Sequence, residues 1–497
     1  MRVLTWFSII LLVAFYIVQP VDDPDLWWHI TVGRWILANA EIPTVDLWNR
    51  FSDGSLWRAY SWSSEVLFAL FDKHFGIQGL MILKIIITVL LTASLFYCMG
   101  RISKDWFIGA LLGTFSTAAC YNHLTLRPQT IVWIFLAWLL YLLNKIDKEG
   151  LSLWRSVALV GIFCAWANTH LSTALGIMTV VFWLYAPGRL KLTLQAFLLS
   201  LFGTLITPYY GGEWLTFFSK TGHPFKMNVI AEFQTATILQ HSTAFLIIAV
   251  ALLMVFLYFN LRLISVGKIF LCMIFTAGAL AVLKFLPMAV TVLCAAVATC
   301  WANSVDEREK FGGLPEGFEK LRRCYDWLPS SGLTFFCCCL AIVQIYPKWR
   351  DLQTYTATPV GSVDFIQEKN LPHPIMSGFG QGGYLMYRFS DGDGNLEHKV
   401  AIDGRTNVNS PEVWEKFYAA LYLKHNWKEF FELVQPETVL WKTDTPLTTL
   451  LLESPEWCRV HLFGDEEKGF SVFVKAEYFK TRPDLTSNDC KRLDKKG

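Results

Sequence analysis

Long apolar runs separated by short polar stretches fill the chain up to about residue 346. A transmembrane helix needs about 17–25 mainly apolar residues, and eleven runs reach or approach that length. They are residues 3–18, 79–99, 106–120, 128–143, 154–168, 173–186, 192–206, 243–259, 264–281, 285–301 and 332–346. This pattern predicts an α-helical polytopic membrane protein with about eleven transmembrane helices. The first run also resembles a signal peptide, but no small-x-small cleavage pattern follows it, so we expect it to be retained as a span.

Basic residues mark one side of this arrangement. With the N-terminus in the cytoplasm, every inner loop carries Lys or Arg, which agrees with the positive-inside bias. These residues are Arg101, Lys104, Lys145, Lys148, Arg155, Arg189, Lys191, Arg262, Lys268, Arg308, Lys310, Lys320, Arg322 and Arg323. An odd number of spans then places the C-terminus outside the cytoplasmic (inner) membrane.

Three long polar stretches share the outer face in this topology. A transmembrane domain covers residues 1–346 and carries a first outer loop at 21–78 and a second at 207–242. Residues 347–497 are long enough for a separate domain. Strand-like runs at 399–402, 438–441 and 470–474 alternate there with helix-like runs at 363–369, 411–423 and 427–434, which predicts an extracytoplasmic α/β domain.

Composition supports a membrane protein and argues against other classes. Charged residues make up 17% of the chain, against about 25% in soluble proteins. A net charge of +2 without a basic cluster gives no reason to expect nucleic acid as a partner. Most of the twelve cysteines lie in apolar runs, and their spacing does not suggest zinc. Cys458 and Cys490 lie in the polar tail, where they are a candidate disulfide pair.

The acidic segment Asp22-Asp23-Pro24-Asp25 follows the first span directly, and Trp27, Trp28 and His29 come next. Carboxylates at the end of a membrane helix are costly unless a cation or a substrate uses them. Asp23 and Asp25 are therefore the candidate catalytic residues. They could hold a divalent cation such as Mg²⁺ or Mn²⁺, or one of them could act as a general base. The structural alternative is an Asp that caps the following helix.

Other polar residues next to apolar runs are candidates for substrate binding. His29 and Glu65 belong to the first outer loop, whereas Arg127, His170 and Lys284 lie at ends of predicted spans. An arginine or lysine at that depth suits a lipid phosphate, although it also anchors a helix at the headgroups. The second outer loop adds His223, Lys226 and Glu232, and the tail adds Asp403 and Arg405 within the sequence IDGR. For that sequence and the glycine-rich stretch 378–383 we favour a structural role in close backbone approach.

Several of these stretches carry a family resemblance. DPDLWWHITVGRWIL, IPTVDLW, FSDGSLW, SWSSEVLFALF, LRPQT, WANTH, GGYL and IDGR resemble bacterial multi-pass membrane proteins related to the GT-C glycosyltransferases. The resemblance implies a GT-C-like fold, a polyprenyl-phosphate sugar donor, transfer on the outer face and acidic residues that correspond to Asp23 and Asp25. One departure is Leu171, which stands after His170 where the resemblance leads us to expect glycine.

The sequence therefore predicts a membrane glycosyltransferase. It would move a sugar from a polyprenyl-phosphate-linked donor to an acceptor on the outer face of the cytoplasmic membrane. Arg127 and Lys284 would hold the donor phosphate, and the other expected partners are membrane lipids. The alternative is a non-catalytic membrane protein that binds or translocates a lipid-linked glycan.

Overall fold

The computed structural model describes residues 2–220, 235, 241–259, 263–308, 330–350 and 358–486. The chain divides into two compact units. In its described stretches, the helical unit comprises residues 2–20, 78–218, 235, 241–259, 263–308 and 330–350, and the mixed unit comprises residues 21–77, 219–220 and 358–486. The sequence-based division placed the first outer loop with the transmembrane domain, whereas the packing groups residues 21–77 with the C-terminal tail.

Nineteen described helices follow one another along the chain. They are α1 (Arg2–Ile17), α2 (Leu26–Asn39), α3 (Trp62–Ser103), α4 (Trp106–Ala119), α5 (Pro128–Glu149), α6 (Leu153–Ala167), α7 (Thr173–Leu184), α8 (Leu190–Thr204), α9 (Gly212–Lys220), α10 (His241–Phe259), α11 (Val266–Ala281), α12 (Leu286–Arg308), α13 (Ser330–Arg350), α14 (Val360–Glu368), α15 (Phe379–Phe389), α16 (Pro411–Leu421), α17 (Lys428–Val434), α18 (Pro446–Glu453) and α19 (Ala476–Lys480). Short 3₁₀ turns cover Tyr121–His123 and Leu283–Phe285.

The predicted apolar segments all fall on helices. Among the described residues, four helical stretches have the length and apolar composition to cross a bilayer: Trp62–Ser103, Pro128–Glu149, Leu283–Asp306 and Ser331–Trp349. Seven shorter apolar helices coincide with the other seven predicted segments. The prediction of a polytopic helical protein is confirmed, and the number of spans stays a prediction.

Helix α3 consists of two helices joined at a break. Gly76 has φ 57° and ψ −146°, which are not helical angles. The positive φ favours glycine, since a Cβ is strained in this region. The first segment, residues 62–75, belongs to the mixed unit, and the membrane-spanning segment follows Gly76.

One end of the helical unit, called here the basic end, is cross-linked by ion pairs. Asp147 near the end of α5 accepts from Lys268 at 2.7 Å and from Arg189 at 2.5 Å. Lys104 after α3 pairs with Asp306 of α12 at 2.7 Å. These pairs join helix ends that the alternating chain direction brings to one side. The opposite end contains the connections α6–α7 and α8–α9, where Asn168 Nδ2 donates to Ile206 O at 2.8 Å.

The mixed unit is built on a small four-stranded sheet. Its strands are β1 (Ile375–Ser377), β2 (Thr438–Lys442), β3 (Trp457–Phe463) and β4 (Phe470–Lys475), in the order β1-β2-β4-β3. β1 is parallel to β2, and the other two pairings are antiparallel. The fully buried rings of Phe417, Phe430, Trp441, Phe470 and Phe473 form much of its core.

The predicted α/β character of the tail is confirmed, with one strand placed wrongly. Residues 438–441 and 470–474 lie in β2 and β4, and the helix-like runs lie in α14, α16 and α17. Residues 399–402 do not form a strand. Val400 instead makes an isolated parallel bridge to Asn49, so its apolar pattern reflects packing against the first outer loop.

Candidate active site in the mixed unit

The acidic segment forms a tight turn in front of helix α2. Asp23 Oδ1 accepts from the backbone N–H of Asp25 at 2.9 Å, and Asp23 O accepts from Leu26 N at 3.3 Å. Asp23 is buried with 2% exposure, and Asp25 is half-buried. Asp25 occupies the N-cap position, yet its side chain makes no capping hydrogen bond. The capping alternative is therefore wrong for Asp25, and Asp23 holds the turn instead.

The Asp25 carboxylate packs against the backbone of the IDGR sequence. A Cβ built on Gly404 would lie 2.1 Å from Asp25 Oδ1 and 3.4 Å from Trp28 Nε1. Since real Cβ atoms do not approach an oxygen at that distance, residue 404 must be glycine for Asp25 to keep this position. The close-approach role predicted for the glycine of IDGR agrees with this geometry.

A buried set of polar side chains, the arginine cluster, lies behind this contact. It consists of Asp46, Asn49, Ser52, Asp403 and Arg405. Arg405 Nε and Nη2 donate to the two oxygens of Asp403 at 2.8 and 2.9 Å, and Nη1 donates to Asp46 Oδ1 at 2.7 Å. Asn49 Nδ2 donates to Asp403 Oδ2 at 3.3 Å, and Ser52 Oγ donates to Asp46 Oδ2 at 2.5 Å.

The arginine cluster is structural. The Arg405 guanidinium lies over the rings of Trp48 and Trp57, 5.5 and 4.9 Å from their centroids. Burial alone would lower the pKa of Arg405, but Asp403 and Asp46 outweigh this effect and raise it above its usual range. Breaking such a buried pair leaves uncompensated charge, so the cluster fixes the first outer loop to the tail.

His29 and Glu65 form a second buried pair beside the acidic segment. His29 Nδ1 lies 3.1 Å from Glu65 Oε1, and both residues are at most 5% exposed. Burial raises the pKa of the Glu65 carboxyl to about 8, and Arg405 lowers it in part. Glu65 Oε2 has no hydrogen-bond partner within the described residues. Glu65 therefore retains a proton near neutral pH, unlike an exposed glutamate.

Tyr60 is a member of this site that sequence reasoning missed. Burial raises the pKa of its phenol above the usual range, and the carboxyl groups of Glu65 and Asp25 raise it further. The phenol therefore lies within electrostatic reach of both acidic side chains. A tyrosine two residues before a tryptophan gave no signal in a sequence already rich in aromatic residues.

Helix α2 is also fixed along its length by a clamp between charged and aromatic groups. Arg34 Nη2 donates to Asp72 Oδ2 at 2.7 Å, and the Tyr387 hydroxyl donates to Asp72 Oδ1 at 3.0 Å. The Arg34 guanidinium lies 4.4 Å from the centre of the Tyr387 ring. Trp27 contacts both Tyr384 and Tyr387, at ring distances of 5.1 and 4.9 Å. Together with Gly404, these contacts leave the acidic segment little freedom to move.

The remaining predicted residues belong to the helical unit, at the end opposite the basic end. Arg127 precedes α5 with extended backbone angles and is half-buried. His170 Nδ1 accepts from Ser172 N at 3.1 Å and lies 3.0 Å from Ser172 Oγ, so the ring supports the turn before α7. Lys284 lies in the Leu283–Phe285 turn and is half-buried. The structure thus collects Asp23, Asp25, His29 and Glu65 in one unit, with the other three in the second unit. His223, Lys226 and Glu232 lie outside the described residues.

Lys84 is a buried cation that the sequence analysis passed over. It lies in the membrane-spanning segment of α3, is 4% exposed, and its Nζ donates to Pro20 O at 3.0 Å. A lysine within an apolar run was the available signal. Pro20 is two residues before Asp22, so Lys84 anchors the chain just ahead of the acidic segment.

The side chains that the structure describes do not assemble the predicted metal site. No group of three or more His, Cys, Asp or Glu among them is placed to hold a metal ion. Asp23 Oδ1 is already engaged by the Asp25 N–H. The Asp23–Asp25 pair does not fit a divalent cation cage, and we derive no catalytic step from Mg²⁺ or Mn²⁺.

Comparison with known proteins gives no match by sequence but several matches by structure. No family model and no curated protein matches the sequence. Solved structures do match. The archaeal oligosaccharyltransferase AglB from Archaeoglobus fulgidus, in complex with an inhibitory peptide and a dolichol-phosphate, has a TM-score of 0.55 at 11% identity, over 96% of this chain and 74% of that chain. The apo form of the Archaeoglobus fulgidus oligosaccharyltransferase has a TM-score of 0.54 at 11% identity, over 89% of this chain and 69% of that chain.

A third match is the mycobacterial arabinofuranosyltransferase AftD. Its TM-score is 0.50 at 12% identity, over 95% of this chain and 41% of that chain. At 11–12% identity these likenesses establish the fold and not the reaction. The apolar helices, the small mixed sheet and these matches together show that the chain is a multi-pass membrane protein with the fold of the GT-C glycosyltransferases.

Proposed function

We propose that this protein is a glycosyltransferase that moves a sugar from a polyprenyl-phosphate-linked donor to an acceptor at the outer face of the cytoplasmic membrane. The observation that carries the proposal is Asp25. It occupies an N-cap position without capping, and the neighbouring backbone leaves room for its carboxylate only because residue 404 is glycine. An N-cap carboxylate that does not cap its helix, in a place shaped to fit it, is suited to chemistry, because departures from local rules are expected at functional sites.

In this proposal Asp25 is the general base. Its carboxylate takes the proton of the acceptor hydroxyl or amide while the acceptor atom bonds to the anomeric carbon of the sugar. The bond between that carbon and the phosphate oxygen breaks, and the electron pair leaves with the polyprenyl phosphate. Asp23 positions Asp25 through the hydrogen bond to its backbone N–H at 2.9 Å. A placed base of this kind contributes about 10²–10⁴-fold to the rate.

The lipid part of the donor is supported by fold likeness. AglB, which shares the fold, was solved with a dolichol-phosphate. We assign the phosphate of the corresponding donor to Arg127 and Lys284, because both are half-buried cations at the end of the helical unit opposite the basic end. A guanidinium matches two phosphate oxygens at once, which suits this role.

Charge and oxidation state support the proposed orientation. The basic end, with Lys104, Arg189 and Lys268, would face the cytoplasm under the positive-inside bias. Cys458 in the mixed unit is disulfide-bonded, which suits an oxidising compartment. A reporter enzyme that is active only outside the cytoplasm, fused after Gly497, should be active. An inactive reporter together with an active cytoplasmic reporter at the same site would reverse the assignment.

A turnover assay separates this proposal from the binding or translocating alternative. The purified protein is incubated with synthetic undecaprenyl-phosphate-linked pentose and hexose donors and membrane extract as a source of acceptor. Mass spectrometry then follows release of undecaprenyl phosphate. Turnover supports the transferase, whereas donor binding without release across the donor series favours the alternative.

The phosphate assignment has its own test. Arg127→Gln should weaken donor binding by about tenfold or more, since a charge-assisted contact is lost. Arg155→Gln is the matched control, because Arg155 lies at the basic end and pairs with the exposed Glu149. Equal donor affinity in the two variants would show that Arg127 only anchors its helix.

A further inference from the structure

A small cavity in the helical unit contains a buried carboxylate that the proposed transferase does not use. Glu213 on α9 lines it and is 7% exposed. Leu171, Thr173 and Thr204 lie on the helix ends around it, and the rings of Trp214 and Phe217 complete the lining. Within the described residues, Glu213 Oε2 has no hydrogen-bond partner. A buried carboxylate without a partner is costly, and the residues that the structure describes leave this oxygen unsatisfied.

The other polar side chains that the structure describes in the cavity lining do not supply this interaction. Thr173 Oγ1 donates to His170 O at 3.2 Å, and Thr204 Oγ1 donates to Leu201 O at 2.7 Å. The indole N–H of Trp214 donates to Thr204 Oγ1 at 3.1 Å. These donors are therefore already engaged. What the cavity still offers is acceptors: the carboxylate oxygen, hydroxyl lone pairs and two aromatic rings.

We propose that the Glu213 cavity binds a primary ammonium group. An ammonium group brings three N–H donors and a positive charge that balances the negative charge of the carboxylate. Tryptophan and phenylalanine rings attract cations as well. The cavity has room for about one water-sized group. This size admits a primary ammonium and excludes a trimethylated one.

Two sources could supply such a group at this position. One is the headgroup of an ethanolamine lipid, and the other is a free amine. Tyr210, Leu215 and Phe218 around α9 are exposed by 65% or more, which is expected of a helix lying in the headgroup layer. The binding site is independent of the proposed transferase, since none of its residues is assigned to donor binding or to the base.

Thermal unfolding of the full-length protein in phosphatidylcholine nanodiscs tests the proposal. Methylammonium chloride should raise Tm in a saturable manner, and tetramethylammonium chloride at equal ionic strength should not. Glu213→Gln keeps the side-chain shape and should raise the half-saturating concentration by about tenfold or more. Glu149→Gln, an exposed glutamate at the basic end, should respond as the parent does.

The lipid arm identifies the source of the ammonium group. If phosphatidylethanolamine nanodiscs raise Tm and abolish the methylammonium response, the ligand is the lipid headgroup. If methylammonium still acts and the lipid has no effect, the ligand is a free amine. Equal shifts with both salts, or an unchanged response in a folded Glu213→Gln variant, would refute the site and leave a buried water as the occupant. Should that variant fail to fold, the comparison of the two salts on the parent protein decides.

Discussion

Replacing Asp25 by asparagine isolates the chemistry of its carboxylate from its shape. Asparagine fits the same space against Gly404, where a Cβ would meet Asp25 Oδ1 at 2.1 Å. The change removes the negative charge and the basicity. Losing a helix cap costs about 1 kcal/mol, but Asp25 makes no capping bond, so this cost does not apply. We expect a folded variant whose transfer rate falls by about 10²–10⁴-fold.

The assay follows undecaprenyl phosphate released by the purified protein, with Tm measured on the same samples. Asp53→Asn is the matched control in the same loop. The side chain of Asp53 is 48% exposed and pairs with Lys399, so its loss should change the rate little. Asp23→Asn keeps an oxygen that can accept from Asp25 N, and its rate should fall less than that of the Asp25 variant.

The result that would refute this reasoning is specific. If Asp25→Asn and Asp53→Asn both retain the parent rate and the parent Tm, the carboxylate has no catalytic role. The acidic segment would then serve only to shape the start of α2, and the base would have to be sought elsewhere.

Three further predictions concern the groups around Asp25. Gly404→Ala should displace the Asp25 carboxylate and reduce the transfer rate by at least tenfold. Gly392→Ala is the control: its Cβ would meet no atom within 4 Å, so the transfer rate should not change. Arg405→Met should destabilise the mixed unit by about 3–5 kcal/mol, because Asp46 and Asp403 remain buried without a counter-charge. Chemical denaturation would measure this loss. Lys416→Met, which removes one partner of the solvent-facing Lys416–Glu412 pair, is the control and should leave the stability unchanged. Burial raises the pKa of Glu65 from 4.5 to about 8. The contribution of Glu65 to stability is therefore complete below pH 4.5 and is lost as the pH rises through 8. Tm measured against pH should show this loss in the parent protein and not in the Glu65→Gln variant.

The membrane helices could be read from the sequence because their signal is local. Each of the eleven predicted segments, such as residues 128–143 in α5, coincides with an apolar helix. A backbone in a bilayer must satisfy its own hydrogen bonds, so a long apolar run has few alternatives to a helix. The break at Gly76 was missed, because a single glycine in the loop before an apolar run does not reveal a positive φ.

The candidate site was only partly visible. The acidic segment was conspicuous, because three carboxylates directly follow an apolar run. The function of each carboxylate could not be read from the sequence, since Asp23 and Asp25 look equivalent there. The turn gives them different tasks: Asp23 bonds to the backbone, and Asp25 faces Gly404.

Sequence alone thus determined the helical membrane class and the position of the acidic segment, since both rest on neighbouring residues. Tertiary structure alone decided what surrounds that segment. Arg405 and Asp46 are 359 positions apart in the chain, yet their side chains are 2.7 Å apart in the core of one unit. The choice of buried partners depends on how the whole unit closes, because a buried charge must find its counter-charge wherever the fold brings one. No local pattern of residues contains that information.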